Sequence, residues 1–385
     1  MSETTAATPP EPPDRGSDIP ADRRRGPPDT PNYAALDLGT NNCRLLVATP
    51  SGQGFRVVEA FSRIVRLGDG LSRTGRLDPA AMDRALAALR ICADKVRRRQ
   101  VVRVQAVATQ ACRSAENGQE FVDRVERETG LKLRVITPRE EAKLSVAGCV
   151  GLLDPECDAA LVVDVGGGST ELSWVELKPE GAPSDGPRRP LKNPPIRAWL
   201  SIPVGVVTLA ERFPEAQDEP ASEPWFRAMV EHIKSHIHPF PNAEVVRGHF
   251  DDGRAHLIGT SGAITSLAGL HLNLRRYERS RVDGLWLTRT DCEAAAQRLM
   301  GLSPAQRAGQ PCIGPDRADL VLAGAAILQA VQELWPCMRV RVADRGLREG
   351  LLLTLMSERA GRSGRGRRRR RRGPASSQAG ARAAE

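Results

Sequence analysis

No stretch of this chain approaches the run of roughly 18–20 apolar residues that a membrane-spanning helix needs, which excludes a helical membrane protein. The N-terminus has no apolar core of the kind a secretory signal carries, so none is expected. Aromatic residues make up only 4% of the chain, and the five tryptophans do not cluster into a platform on which bases could stack. There is no Cys-x-x-Cys pair. The eight cysteines (Cys43, Cys92, Cys112, Cys149, Cys157, Cys292, Cys312 and Cys337) follow no disulfide-framework spacing. Several sit in apolar runs, where cysteine acts as a small buried hydrophobe, and a reducing cytoplasm is the expected compartment.

What remains is ordinary for a soluble globular protein, with 40% hydrophobic and 27% charged residues. At 385 residues the chain exceeds one ordinary core, and two domains are expected. The net charge of +9 does not belong to the fold. Residues 362–372 hold eight arginines and no acid, and without them the body is left with about +1. This Arg-rich stretch, Arg367–Arg372 above all, could bind RNA or another polyanion by counterion release. It lacks interleaved aromatics, so base recognition is not expected.

Residues 1–31 are proline-rich and polar, and 359–385 are Arg, Gly, Ser and Ala. Neither can bury enough apolar surface to order itself. Residues 178–195, rich in Pro and Gly, read as a surface insertion. Between these, strands and helices alternate. Asp78-Pro79 starts a helix whose buried stripe is Met82, Leu86, Leu89, Ala93 and Val96. Val101–Ala108 reads as a strand, Asn117–Thr129 as a helix closed by Gly130, and Leu131–Ile136 as a strand. Thr137-Pro138-Arg139-Glu140 opens the next helix as a capping box. Further helices are expected near Ser222–His238, after Gly262, near Arg317–Leu334 and from Leu347, with strands at His256–Gly259 and Met338–Val342. This is an α/β chain with mixed sheets and helices outside.

The informative pattern is a repeated one. Leu36-Asp37-Leu38-Gly39-Thr40-Asn41-Asn42 and Val163-Asp164-Val165-Gly166-Gly167-Gly168-Ser169-Thr170-Glu171 each stand between two β-prone runs, so each reads as strand, tight turn, strand. Glycine lets backbone N–H groups come close to an anion, and successive N–H groups form a nest for phosphate. An Asp at the strand end beside such a nest suits Mg²⁺, which takes one or two carboxylates and keeps several waters. Two loops of the same grammar imply a duplicated lobe with a phosphate held between the copies.

Taken with Val65-Arg66-Leu67-Gly68-Asp69-Gly70-Leu71, Ala108-Thr109-Gln110-Ala111-Cys112-Arg113, Glu140-Glu141-Ala142, Pro203-Val204-Gly205-Val206-Val207, Gly259-Thr260-Ser261-Gly262 and Gly346-Leu347-Arg348-Glu349-Gly350, in that order, the chain resembles the exopolyphosphatase / guanosine pentaphosphatase family. That family lies within the superfold of actin, sugar kinases and heat-shock chaperones. The resemblance implies two actin-like, ribonuclease H-like lobes, 32–155 and 156–358, with an active site in the cleft between them. It implies hydrolysis of a phosphoanhydride, either the terminal phosphate of inorganic polyphosphate or the γ-position phosphate of guanosine pentaphosphate. Such chemistry needs a polyanion cradle, a metal and an activated water. The family's habit also suggests a homodimer.

If Thr137 and Glu140 satisfy each other in the capping box, Glu141 is the acid left for chemistry. The resemblance puts the general base at the same position. Asp37 and Asp164 are expected to hold Mg²⁺ or another divalent ion. The resemblance adds Glu171 as a further metal-site or water-orienting acid and Arg113 as the substrate-phosphate arginine. Backbone groups of Gly39, Thr40, Asn41 and Asn42, and of Gly166, Gly167, Gly168 and Ser169, would line the cradle. Gly259 and Ser261 belong to a stretch that matches the superfold's adenosine motif and could equally be a tight strand-to-helix turn. Thr40-Asn41-Asn42-Cys43 departs from the family's commoner Ser-Asn-Ser followed by an aromatic. Longer members add a C-terminal helical domain, so a polyphosphate tunnel shared with it is not expected here. His232, His236 and His238 share a helix without an accompanying acid or cysteine pattern, and read as a solvated face. A regulator that binds nucleotide or polyphosphate without catalysis is the remaining alternative. A sugar or acetate kinase lacks an acceptor signature.

Overall fold

Each Asp–Gly loop is the turn of a β-hairpin at the centre of its own sheet. The computed structural model describes residues 30–52, 54–178, 195–216 and 218–370, with side chains to 358. The strands are β1 Asn32–Leu38, β2 Asn42–Ser51, β3 Gly54–Ile64, β4 Val101–Ala108, β5 Leu133–Val135, β6 Ala159–Val165, β7 Thr170–Glu176, β8 Ile196–Ile202, β9 Ala255–Thr260, β10 Trp286–Thr288 and β11 Arg339–Ala343. They form one sheet in the order β3-β2-β1-β4-β5 and a second in the order β10-β11-β9-β6-β7-β8. In the first sheet β1 pairs antiparallel with β2 and parallel with β4; in the second β6 does the same with β7 and β9. The repeated loop is therefore one piece of a repeated sheet. β1 and β6 are apolar along nearly their whole length because both faces of each sheet are covered.

Pro79–Arg98 forms from its predicted cap, with the Asp78 carboxylate accepting from Ala81 N at 3.0 Å. Its Leu86, Leu89 and Ala93 are buried against the first sheet, with Met82 and Val96 at the margin. Gly118–Thr129 covers the same face and ends at Gly130, whose φ of 72° is the left-handed conformation that glycine tolerates. The expected capping box at Thr137 is only half made. Thr137 Oγ1 accepts from Glu140 N at 3.2 Å, but the Glu140 carboxylate turns to Arg134, accepting two bonds of 2.7 and 2.6 Å. A bidentate charged pair outweighs one backbone contact. Either way Glu140 is occupied, and Glu141 is left.

The division at 155/156 does not hold for packing. The helix Pro138–Cys149 lays Val146 and Cys149 against Val162, Val175 and Ile258 of the second sheet. The last helix, Leu347–Arg370, lays Leu351, Leu352 and Leu355 against Tyr33, Ala35 and Leu46 of the first. The two helices cross at glycines, where a methyl on Gly148 would fall 1.9 Å from Gly346 O and one on Gly350 2.0 Å from Leu144 O. Each lobe thus lends a helix to the other. That last helix also runs past the boundary expected at 358, so the segment from 359 opens as helix and not as disorder. Residues 1–29, the insertion 179–194 and 371–385 lie outside the described residues, as do the side chains of Arg367–Arg372. Among the described residues no helix is long and apolar enough to cross a membrane, and all eight cysteines are free and buried.

The second lobe's core is built by Glu223–Ile237, Gly262–His271, Arg289–Met300 and Val321–Leu334. One fully buried cation lies nearby. Arg307 donates to Ala318 O at 3.2 Å and Leu299 O at 3.3 Å, and pairs with Glu215.

Candidate active site

Both loops close in the same way, with Gly39 N donating to Asn42 O and Gly166 N to Ser169 O, each at 2.9 Å. Their carbonyls are then tied away from the cleft. Asn41 O accepts from Val65 N and Arg66 N at 2.9 and 3.0 Å, and Thr40 O from Gly68 N at 2.9 Å. Gly166 O and Gly167 O accept from Val206 N and Val207 N at 3.0 and 2.8 Å. The backbone N–H groups of Thr40, Asn41, Gly167 and Gly168 donate to nothing among the described residues. These are the free donors an anion nest requires. The loops face each other closely: a methyl on Gly167 would lie 3.0 Å from Thr40 Cβ and 3.1 Å from Asn41 N, and one on Gly168 2.1 Å from Gln110 Oε1. Thr40, Asn41 and Ser169 are buried, and Asn42 opens β2.

The acids gather around these loops. Asp37 ends β1 in register with Arg44, and Asp164 ends β6 opposite Glu171 on β7. Glu141 stands in the first turn of Pro138–Cys149, and Ser145, one turn on, faces Asp164. Glu141 and Glu171 are 8% and 2% exposed, so their environment is protein and not solvent. Burial pushes the Glu141 carboxyl well up; Glu171 raises it further, Arg113 opposes, and Asp164 and Asp37 add to the rise. Burial and then Asp164 push Glu171 up to about 7, against the Ser169 and Ser201 hydroxyls and Arg113. Asp164 is pushed up to about 6 by burial, with Ser145 pulling it down and Asp37 raising it. Asp37 is raised by burial, with Arg44 and Arg348 opposing. Glu141 responds to the charge of all three other acids, Glu171 to Asp164 and Asp164 to Asp37, so the four form one electrostatic unit.

Arg113 sits on the short helix Gln110–Ser114 after β4. It donates to Ile136 O at 2.8 Å and to Glu141 Oε2 at 3.2 Å, so the arginine and the candidate base are in contact. Among the described residues no three of His, Cys, Asp and Glu lie close enough to hold a bare ion. The donor set is hard carboxylate oxygen, and Asn41 Oδ1 is buried without a hydrogen-bond partner. This suits an ion that keeps most of its waters, as Mg²⁺ does, and not a closed zinc or calcium cage.

Gly259 and Ser261 have turn duties. Ser261 Oγ accepts from Ala263 N and Ile264 N, both at 3.0 Å, and a methyl on Gly259 would meet Ile264 Cδ1 at 2.7 Å. Sequence reasoning missed Arg44, Arg348, Ser145 and Ser201. Ser201 Oγ donates to Glu171 Oε1 at 2.9 Å. Arg44 was readable from hairpin register, since a turn closed at Gly39–Asn42 sets it opposite Asp37. Arg348 comes from the far end of the chain, and no local signal announces it. His232 and His236 are half-buried and not a solvated face, with ring centroids 4.5 Å apart; His238 is exposed.

With this geometry in hand, the chain can be set against known proteins. A family model described as the Ppx/GppA phosphatase family matches residues 46–359. The chain is 30% identical to Exopolyphosphatase 2 of Mycobacterium tuberculosis over 344 residues, covering 84% of this chain and 98% of that one. The crystal structure of the Aquifex aeolicus member of the Ppx/GppA family is 28% identical with a TM-score of 0.67, covering 86% of this chain and 98% of that one. An exopolyphosphatase from Cytophaga hutchinsonii, 24% identical, shares the fold with a TM-score of 0.73 over 85% of this chain and 98% of that one.

Proposed function

Because this chain belongs to the Ppx/GppA phosphatase family, whose members hydrolyse phosphoanhydrides, we propose that it releases terminal orthophosphate from inorganic polyphosphate. The observation that carries this reading is the convergence of Glu141, Glu171, Asp164 and Asp37 on one electrostatic unit where the two glycine loops meet.

In the reading proposed here, the free N–H groups of Thr40, Asn41, Gly167 and Gly168 take the oxygens of the terminal phosphate. Arg113 takes another and stabilises charge that builds on the phosphoryl group. Glu141 accepts a proton from water, and the burial that raises its proton affinity makes it a stronger base than an exposed carboxylate. The water oxygen bonds to the terminal phosphorus as the bond to the bridging oxygen breaks, and the electron pair leaves with the shortened chain. Glu171, fixed by Ser201, orients that water. Asp37 and Asp164 would hold Mg²⁺ through waters, and the ion would supply charge neutralisation at the phosphate. The cytoplasm as compartment, a homodimer, and polyanion contact through Arg367–Arg372 belong to the same proposal. The first rests on eight free cysteines and the last on the arginine run.

The test is phosphate release from polyphosphates of defined length, guanosine pentaphosphate and ATP, with and without Mg²⁺. Release from polyphosphate that requires the ion supports the proposal. Release confined to guanosine pentaphosphate assigns the site to that substrate, and release from neither refutes hydrolysis.

A further inference from the structure

Next to Thr40 of the first loop lies an interlobe cavity of about 740 Å³. Its floor joins the reaction site. Thr40 lines it, and so does Gln110, which accepts from Thr40 Oγ1 at 3.2 Å and shares a short helix with Arg113. Part of its lining is basic. Arg73 from the first lobe and Arg212 from the second line it, and neither makes an ion pair among the described residues. His232 and His236 also line the cavity; burial first, then His236 and Arg212, lower the proton affinity of His232, so the positive charge there rests on the two arginines and the imidazoles offer hydrogen bonds. The one acid in the lining, Glu211, is already engaged: its carboxylate accepts from Gly70 N at 2.8 Å and from the Ser72 hydroxyl.

The reaction site itself is rich in carboxylates and repels all of a polyanion except the phosphate that its loops, and Mg²⁺ where bound, would neutralise. A linear polyphosphate carries its charge along its whole length, so the residues beyond the terminal phosphate need cations of their own. The cavity sets two guanidinium forks without ion-pair partners among the described residues in the same space as Thr40 of the first loop, and it is of the size ligand pockets have. Its histidines, set aside in the sequence as a solvated helix face, have a place there.

Building on the hydrolase reading above, we infer that this cavity is a distal subsite. It binds the phosphates behind the scissile anhydride of a polyphosphate chain through Arg73, Arg212 and the His232/His236 pair. It is a specificity device for chain length and takes no part in bond breaking.

The experiment compares KM and kcat of the full-length wild type, R73A/R212A and R73K/R212K on tripolyphosphate and on chains of graded length, at low and high salt. In the wild type KM should fall as the chain lengthens. In R73A/R212A that fall should be lost, leaving long-chain KM about tenfold higher at low salt, with kcat retained and the gap shrinking as salt rises. The lysine pair should recover much of it. H232A/H236A should shift KM in the same sense by less. Loss of kcat on every substrate alike, or unchanged length dependence in R73A/R212A, overturns the inference while leaving the hydrolase reading standing. A wild type that hydrolyses no phosphoanhydride removes the hydrolase reading first.

Discussion

Replacing Glu171 with Gln should stabilise the protein in the absence of divalent ions while impairing catalysis. Glu171 is 2% exposed, and burial beside Asp164 pushes its carboxyl from the ordinary 4.5 up to about 7. The sign follows from proton linkage. Between those two values the folded state holds a proton that the unfolded state has released. The contribution of this carboxyl to stability is therefore highest below about pH 4.5, falls as pH rises, and levels off above about pH 7. At neutral pH the accumulated cost is about 3 kcal/mol. Gln removes the charge and keeps an acceptor for the Ser201 hydroxyl, now 2.9 Å from the carboxylate. Part of the gain is lost to seating the amide, so about 1–3 kcal/mol should appear at pH 7.5. Urea unfolding of wild type and E171Q in EDTA, at about pH 5 and about pH 7.5, measures it. The wild type should recover the difference when Mg²⁺ is added, and E171Q should recover less. Because the Glu171 charge raises Glu141, E171Q/E141Q should gain less than the sum of the singles. An E171Q protein no more stable than wild type at pH 7.5, or a gain of the same size at pH 5, would refute the view that this acid stands against its own environment.

Glu141→Ala, folded by circular dichroism, should lose phosphate release by about 10²–10⁴-fold, the range of a general base; wild-type-like turnover would remove Glu141 from the mechanism. Gly205→Ala places a methyl 2.4 Å from the Gly167 carbonyl carbon and 2.6 Å from Gly166 O, and neither backbone can yield without moving the phosphate loop. It should cost about 1–3 kcal/mol and most of the activity, read by thermal melts and phosphate assay. Arg307→Ala strips a buried cation from two carbonyls and Glu215, and should destabilise the second lobe by about 3–5 kcal/mol in urea titration. A loss under 1 kcal/mol would show that water replaces the guanidinium.

The repeated hairpins were legible because their information is local. An apolar strand, an Asp at its end and glycines in the turn fall within a dozen residues, and the strand pairing that follows is the shortest kind a chain can make. Asp37 and Asp164 were found for that reason. Glu141 was reached through a capping box that the structure completes differently: Arg134 takes the Glu140 carboxylate, so the inference came out on a partner that local spacing did not indicate. The distant contributors could not be read in this way. Arg348 reaches Asp37 because the last helix packs on the first sheet, and that packing depends on Gly148 and Gly350 letting two backbones touch across some two hundred residues of sequence. A composition boundary at 358 or a lobe boundary at 155 cannot express an exchange of helices. The same exchange gives the cleft its character. Glu141 rides on a helix packed against the second sheet while its neighbour Arg113 belongs to the first, so any motion of one lobe against the other changes the 3.2 Å contact between base and arginine. A site assembled from both lobes in this way lets closure on a polyanion and alignment of the base occur as one event.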